Sequence, residues 1–292
     1  DASLIRIYFR YICVQNRSMY TEYQPSHLLV PYIDSYWEFK GNPDYGMRIH
    51  ILPDGCTDFI FTLGEVANAV EEGSLIMQPY RSYFVGPMTK YSELVTYTES
   101  IHMFGVRFLP CGLSCFTNLP LHEFVNSRVS TNEMKAVFDD TFIEKLGEQK
   151  HVTDRIRVVE EYLLAYLARH YQPADSHVAM AVNMINHSKG KRSVRSLMDD
   201  VCLCQRHFER KFKHYTGFTP KEYSRIVKFK NAVELLRTTT SANLLTTAVD
   251  AGYYDLAHFS KEIKSMSGNT PASFLSLTVP EETTLTYIEP QR

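Results

Sequence analysis

The sequence has few of the features that indicate a membrane span or a disulfide-stabilised fold. No stretch reaches the ~18 consecutive apolar residues that a membrane helix requires, so we predict a cytoplasmic protein without membrane contact. Six cysteines occur in 292 residues. The two close pairs, Cys111/Cys115 and Cys202/Cys204, lack the Cys-x-x-Cys spacing of zinc and redox sites. We therefore expect reduced, mostly buried thiols.

Motifs for catalysis are also missing. The sequence contains no Gly-rich phosphate loop, no Gly-x-Ser-x-Gly and no His-Glu-x-x-His. Five potential metal ligands occur in the N-terminal part: His50, Asp54, Cys56, Asp58 and His102. Their spacing does not require a metal, and a turn at Pro53-Asp54-Gly55 explains Asp54 more simply. We predict no enzyme activity, no catalytic residue, no cofactor and no metal site.

The net charge of −2 hides an uneven distribution of charge along the chain. Residues 173–277 contain 15 Lys and Arg against 9 Asp and Glu, which leaves 16 basic and 24 acidic residues elsewhere. A basic end on an acidic body suggests that this end meets a polyanion.

The order of sequence patterns predicts two domains. Segments rich in aromatic and β-branched residues, separated by turn signals, predict strands at 36–39, 56–63, 83–85, 94–98 and 102–109. An apolar stripe predicts a helix at 154–171, which the segment 172–176 ends. The residues from 177 to 277 read as helices joined by short turns. The predicted fold class is α+β, with an N-terminal β-barrel or sandwich, trailing helices and an all-α C-terminal domain.

These patterns divide the chain into five parts. Residues 1–18 look like a leader or an expression remnant, because Met19 opens a more ordinary stretch. Residues 19–110 form the predicted β-rich domain, and the helical segment 111–172 could serve as a dimerisation element. Residues 173–277 form the C-terminal domain, and the polar residues 278–292 form a tail.

A repeat in the C-terminal part carries most of the information. Shifting this part on itself by 51 residues makes six of the 17 positions from 207 to 223 identical. The identical pairs are His207/His258, Phe208/Phe259, Lys213/Lys264, Gly217/Gly268, Thr219/Thr270 and Pro220/Pro271. Such a shift indicates one supersecondary unit used twice, here at 193–217 and 244–268.

Each unit reads as a short helix, a tight turn and a second helix. The predicted helices are 194–201 and 205–216 in the first unit, and 245–250 and 256–266 in the second. The face of the second helix opposite Phe208 and Phe212 offers side chains that can reach base edges and phosphates. These are Gln205, Arg206, Glu209, Arg210 and Lys213. The pattern is that of a tandem helix-turn-helix.

Helix ends and a connecting helix complete this prediction. Gly217 and Gly268 stand where helices end in the left-handed conformation. A capping box from Thr219 to Glu222 begins a long helix at 220–237. That helix would hold the two reading helices about one DNA turn, ~34 Å, apart.

The C-terminal part resembles the DNA-binding domain of AraC/XylS-type transcription regulators over about 100 residues. The segments that carry the resemblance are LCQRHFERKFK from Leu203, TGFTP from Thr216, GYYDLAHFSK from Gly252 and GNTP from Gly268. The resemblance implies a sequence-specific transcription regulator that acts as an activator. Its implied partners are double-stranded DNA and RNA polymerase.

By position, the resemblance implies that the leading residues of each second helix contact bases. These are Gln205, Arg206, Glu209 and Arg210 in the first unit, and Leu256, Ala257, His258 and Lys261 in the second, with Lys213 and Lys264 further along. Cys204 stands at the cap position where the family usually has serine, and a thiol is a poorer acceptor. Leu256 and Ala257 cannot hydrogen-bond bases, so we expect the second unit to contribute mainly phosphate contacts.

Many family members carry a β-rich sensor module before this domain. The N-terminal part of the chain resembles one subgroup of these modules, which has no assigned function. The segments that carry this resemblance are YWEF from Tyr36, ILPDGCTD from Ile51, FVGP from Phe84 and FGVRFLP from Phe104. It implies a cupin-like barrel followed by helices and does not identify a ligand, so control by a small-molecule effector stays an open prediction for this domain. Trp37 and His50 are the candidate ligand-binding residues.

Two other functions stay open from the sequence. A helical protein-interaction module would explain the helices without DNA binding. A DNA-repair alkyltransferase fused to this kind of domain is a further alternative, although the cysteines lack a clustered zinc pattern. A homodimer is also compatible with the sequence.

Overall fold

Alternating apolar residues in the N-terminal part form two antiparallel sheets. The computed structural model describes residues 11–14, 17–134, 137–138, 140–170, 172–201, 203–238, 244–276 and 286–288. Its strands are β1 (Tyr11–Val14), β2 (Arg17–Tyr23), β3 (Ile33–Gly41), β4 (Met47–Ile51), β5 (Thr57–Thr62), β6 (Asn68–Ala69), β7 (Ser82–Val85), β8 (Ser92–Thr96), β9 (Ile101–Phe108), β10 (Arg128–Ser130) and β11 (Thr286–Ile288). The first sheet has the order β1-β2-β3-β9-β5-β7-β10, and the second has the order β11-β4-β8-β6. The five predicted strands are confirmed, with ends that differ by at most three residues.

Consecutive residues of a strand point to opposite faces of its sheet. The strands of the first sheet have runs of consecutive apolar residues, so both faces of this sheet are buried. The residues that face the helices include Tyr36, Phe59, Phe61, Phe84, Phe104 and Phe108. Those that face the second sheet include Trp37, Phe39, Ile60, Tyr83, Val85 and Met103. The described strands form two separate antiparallel sheets, which face each other across a shared apolar layer.

The helices follow the sheets in the chain. They are α1 (Asp140–Gly147), α2 (Val152–His170), α3 (Ser176–His187), α4 (Val194–Val201), α5 (Gln205–Thr216), α6 (Pro220–Thr238), α7 (Leu244–Asp250), α8 (Leu256–Ser267) and α9 (Pro271–Ser276). α1 and α2 pack on the first sheet, and the remaining seven surround a separate core. Each predicted helix is confirmed to within two residues. Within the described ranges, no helix is both long and apolar enough to cross a membrane.

Strands also occur in three segments for which the sequence indicated none. β1 and the start of β2 lie in the predicted leader, β10 lies in the predicted helical segment, and β11 lies in the predicted tail. β10 pairs with β7, and β11 pairs with β4. β10 and β11 are each three residues long and their partners are distant in the chain, so their own residues show no strand period.

The helical domain packs directly on the β domain. Leu52 and Cys111 belong to the core that α3 to α9 surround. A Cβ atom at Gly55 would lie 2.7 Å from Cε2 of Tyr223 on α6. Lys230 of the same helix donates to the carbonyl oxygen of Asp54 at 3.2 Å. α6 is therefore fixed to the turn that the sequence predicts at residues 53–55.

The C-terminal ends of α5 and α8 also touch the β domain. A Cβ atom at Gly217 would lie 2.5 Å from Cγ of Pro87, and one at Gly268 would lie 2.7 Å from Cζ of Tyr91. Pro87 and Tyr91 belong to residues 86–91, which join β7 to β8 and which we call the docking loop. One loop of the β domain thus holds the ends of both helices.

We predict that Gly55→Ala lowers the free energy of unfolding by about 2–4 kcal/mol, because a left-handed backbone and a crowded contact both resist a side chain. Gly55 has a φ of 88° and is packed against Tyr223. Gly73→Ala is the matched control, since Gly73 has a φ of 77° with nothing within 4 Å of a Cβ atom. The control should cost about 1 kcal/mol in urea denaturation. Equal losses in the two variants would contradict the packing of Tyr223 on this turn.

Candidate nucleic-acid interface

α4 and α5 form the first helix-turn-helix unit around a shared apolar core. Leu197, Phe208 and Phe212 are fully buried in this core. The spacing of four residues puts Phe208 and Phe212 on one face of α5, with ring centroids 5.6 Å apart. The opposite face of α5 is consequently left to solvent.

The ends of α5 have the predicted capping residues. Cys204 is the N-cap residue, and its side chain makes no capping hydrogen bond. Gly217 ends the helix in the left-handed conformation, with a φ of 83°. At the start of α6, Thr219 N donates to Glu222 Oε2 at 2.7 Å, and Glu222 N donates to Thr219 Oγ1 at 3.2 Å. The predicted capping box is therefore confirmed.

α7 and α8 form the second unit in the same way. Ala248, Phe259 and Ile263 are fully buried between them and the rest of the helical core. Asp255 caps α8 by accepting a hydrogen bond from the His258 amide at 2.7 Å. Gly268 ends the helix with a φ of 76°. The two units thus differ at the N-cap, where the first has a thiol and the second a carboxylate.

The structure places all ten predicted DNA-contacting residues on the outer faces of α5 and α8, which we call the recognition helices. On α5, Gln205, Arg206, Arg210 and Lys213 are exposed and Glu209 is half-buried; on α8, Leu256, Ala257, His258, Lys261 and Lys264 are exposed. Each recognition helix has 12 residues, so its leading end lies ~18 Å from its docked end. The predicted contacts with DNA stay predictions, and nine of these ten residues are exposed to solvent.

The two outer faces differ in charge. On α5, Gln205 Nε2 donates to Glu209 Oε1 at 2.9 Å, which keeps an acid on the outer face. On α8, Glu262 instead accepts a hydrogen bond from Arg225 of α6 at 2.7 Å. The acid of α8 is thereby held against the connecting helix, and Lys261 and Lys264 determine the charge of its outer face.

Tyr254 is a candidate contact residue that the sequence did not single out. It lies in the turn before α8, and 92% of its side chain is exposed, whereas its neighbour Tyr253 is 5% exposed. A tyrosine hydroxyl can donate to a phosphate. The sequence contains a signal for this residue, because the core needs only one of the two consecutive tyrosines, Tyr253, and Tyr254 is left without a place in it.

A second candidate site lies between the two sheets of the β domain. It is a cleft of about 50 Å³ with mainly apolar walls. Trp37, a predicted ligand-binding residue, lies in this cleft against Gly105, where a Cβ atom would be 1.9 Å from Cε2 of the indole. The missing side chain at Gly105 is what lets the indole lie on the sheet.

Charged residues at one end of the cleft are paired with each other. The Trp37 Nε1 donates to Asp58 at 2.7 Å. Arg107 lies 3.3 Å from Asp58, 3.5 Å from Asp54 and 3.2 Å from Glu22. Burial raises the pKa of Asp58, and the positive charge of Arg107 opposes that shift.

His50, the other predicted ligand-binding residue, does not line this cleft. Its ring stacks on that of Tyr91 with centroids 6.1 Å apart, and its Nε2 lies 3.7 Å from Glu93. His102, a potential metal ligand, contacts Glu38 at 2.9 Å. In the part of the chain that the structure describes, no three His, Cys, Asp or Glu side chains are grouped to hold a metal ion.

Two family models match the chain. Residues 197–276 match a helix-turn-helix domain, and residues 21–130 match a domain of unknown function, DUF6597. None of the curated proteins matches the chain.

Solved structures with a similar arrangement include ToxT from Vibrio cholerae. Its sequence is 9% identical, the match covers 83% of this chain and 98% of ToxT, and the TM-score is 0.49. A probable AraC family transcriptional regulator from Rhodopseudomonas palustris is 20% identical, with 36% of this chain and 100% of that chain covered and a TM-score of 0.33. The C-terminal domain of AraT, a response regulator from Geobacillus stearothermophilus, is 20% identical, with 38% and 92% covered and a TM-score of 0.34.

We predict that Cys204→Ser raises the free energy of unfolding by about 1 kcal/mol, because a hydroxyl accepts a hydrogen bond from the first amides of a helix better than a thiol does. The Cys204 backbone is already extended, as an N-cap requires. Asp255→Ala, which removes the cap that α8 has, should lower the free energy of unfolding by a similar amount. Urea denaturation measures both changes. If Cys204→Ser leaves the free energy of unfolding unchanged while Asp255→Ala lowers it, a cap does not stabilise α5.

Proposed function

We propose that this chain, whose C-terminal part is an AraC-type helix-turn-helix domain, is a sequence-specific DNA-binding transcription regulator. One observation supports this most strongly. Both recognition helices have their C-terminal ends docked on the β domain and their outer faces exposed, with Arg206 and Arg210 on α5 and Lys261 and Lys264 on α8. A scaffold without a DNA partner has no need for two such faces.

The two helices suit different kinds of contact. Arg206, Arg210 and Gln205 on α5 carry the side chains that pair with guanine and adenine edges in the major groove. The leading residues of α8, Leu256 and Ala257, can touch thymine methyl groups but cannot hydrogen-bond bases. Lys261 and Lys264 on α8 are suited to phosphates, which fix position without reading sequence. The first unit therefore supplies most of the base discrimination in this proposal.

Regulation in this proposal acts through the β domain. The cleft residue Arg107 contacts Asp54, whose carbonyl oxygen accepts a hydrogen bond from Lys230 of α6. A small molecule in the cleft can therefore act on the helix that joins the two DNA-reading units. We propose that the chain acts in the cytoplasm as an activator that contacts RNA polymerase, with α2 available for a homodimer.

A protein-interaction module is the alternative that one observation favours. Within the second unit, the apolar residue Val249 is 57% exposed and the aromatic residue Tyr254 is 92% exposed. The dependence of binding on salt separates the two functions. DNA binding releases counterions and weakens steeply with salt, whereas docking of a protein on apolar side chains does not show that slope.

We predict that DNA selected from a random pool by the purified chain contains two boxes about one helical turn apart, with more sequence information in one box. Base changes in the stronger box should cost about 1–3 kcal/mol each. A single short box would contradict the tandem reader, and an absence of enriched DNA would contradict the proposed function.

Variants assign the boxes to the units. Arg206→Ala with Arg210→Ala should remove the preference in the stronger box, because each lost base contact costs about 1–3 kcal/mol. Lys261→Ala should weaken binding to all sequences alike and flatten its salt dependence. Arg48→Ala with Arg81→Ala, which changes exposed arginines outside the helical domain, should leave both boxes unchanged. Loss of the weaker box in the Arg206/Arg210 variant would reverse the assignment.

A further inference from the structure

We propose that the cleft of the β domain binds a small organic monocarboxylate, with Arg128 holding the carboxylate and the docking loop forming one wall of the site. This names a ligand class for the regulation proposed above. It stands on the geometry of Arg128, the walls of the cleft and the position of the docking loop.

The cleft opens into a larger groove on the surface of the β domain. Most residues that line the cleft are apolar, Trp37 and Met88 among them, and Arg107 and Arg128 are its two arginines. The groove has a volume of about 410 Å³ and shares Val85, Met88 and Arg128 with the cleft. An apolar chamber that meets a polar groove suits a ligand with an apolar body and one polar end.

Arg128 stands where the two cavities meet. Its Nη2 donates to Ser92 Oγ at 3.0 Å. Its Nε is buried and has no hydrogen-bond partner among the described residues. Burial lowers the pKa of Arg128 because the surroundings disfavour its charge. A buried guanidinium nitrogen without an acceptor is costly, and a ligand carboxylate would supply both the acceptor and the opposite charge.

Arg107, the other arginine of the cleft, does not offer the same attraction. Three carboxylates, those of Asp58, Asp54 and Glu22, already lie within 3.5 Å of it. An incoming anion would have to displace one of them. Arg128 has no carboxylate that close in the described residues; the charges of Glu71 and Asp58 act on it only from farther away, and its Nε has no acceptor there.

The charges around the groove favour a monoanion over a phosphate. Glu71 and Glu72 line the groove near Arg128. Lys90 also lines it, but its Nζ is paired with Glu71 at 2.8 Å. A phosphate carries close to two negative charges at neutral pH, and with Lys90 paired to Glu71 the groove offers no second positive charge beside Arg128 to hold them. A carboxylate carries one.

The docking loop links this site to DNA binding. Met88, Lys90 and Tyr91 of the loop line the groove. The same loop contacts the end of α5 through Pro87 and the end of α8 through Tyr91. A ligand that packs against Met88 and Tyr91 therefore contacts the docking loop, and the docking loop contacts the ends of both recognition helices.

Fluorescence of Trp37 measures binding directly, because it is the single tryptophan of the chain and lies in the cleft. The full-length protein is titrated with benzoate, phenylacetate and hexanoate, with their neutral amides and with inorganic phosphate. We expect a saturable change with at least one carboxylate and none with its amide or with phosphate. Arg128→Gln should raise the Kd at least tenfold, while Arg81→Gln, at an exposed arginine of the same domain, should leave it unchanged.

Several outcomes would overturn the proposal. They are the absence of a saturable change with every carboxylate, equal binding of an amide, and an unchanged Kd in Arg128→Gln. If Arg128→Gln does not fold, Arg128→Lys replaces it; a lysine keeps the charge but lacks the buried Nε, and we again expect weaker binding. These titrations contain no DNA, so their result does not depend on the proposed function.

The link through the docking loop is tested separately with the DNA selected by the protein. We expect a saturating carboxylate to change the affinity of the wild-type protein for this DNA at least threefold and that of Arg128→Gln not at all. Carboxylate binding without any change in DNA affinity would remove the docking loop from the proposal.

Discussion

The contact between the docking loop and the ends of both recognition helices determines how this molecule is organised. Gly217 and Gly268 each have two roles there. Their positive φ angles end the helices, and their missing side chains let Pro87 and Tyr91 approach closely. A larger residue would strain the backbone at either place, and it would clash with Pro87 at position 217 and displace the ring of Tyr91 at position 268. The repeat in the sequence is therefore also a repeat in the interface.

This docking fixes the relative position of the two helix-turn-helix units and leaves the side chains of their outer faces unchanged. The connecting helix α6 fixes the two units from one side through the shared core. The β domain fixes them from the other side, through the docking loop and through the contacts of Tyr223 and Lys230 with residues 54–55. Burial acts to lower the pKa of Lys230, but the pKa is raised overall because acidic groups that include Asp54 and Asp34 lie nearby.

Much of the helical domain could be predicted from the sequence because its signals are local. Helix period, caps and glycine ends all lie within a few residues of the element they define, as at Asp255 and Gly268. The β domain was harder, since β10 and β11 are recognisable only by strands far away in the chain. His50 and Trp37 were predicted together but lie in different surroundings. The Nε of Arg128 has no hydrogen-bond partner among the described residues because no acceptor lies near it in the fold. The absence of a neighbour from a distant part of the chain cannot be predicted from the sequence.

The rigid arrangement of the two units is tested most directly by changing the spacing of the selected DNA site. Inserting 5 base pairs between the boxes moves the second box by about half a turn, to the opposite side of the duplex. If the docking loop and α6 hold both recognition helices on one side, affinity should fall to that of the stronger box alone. Affinity that stays within twofold of the original site would contradict this account, because it would require the two units to move independently.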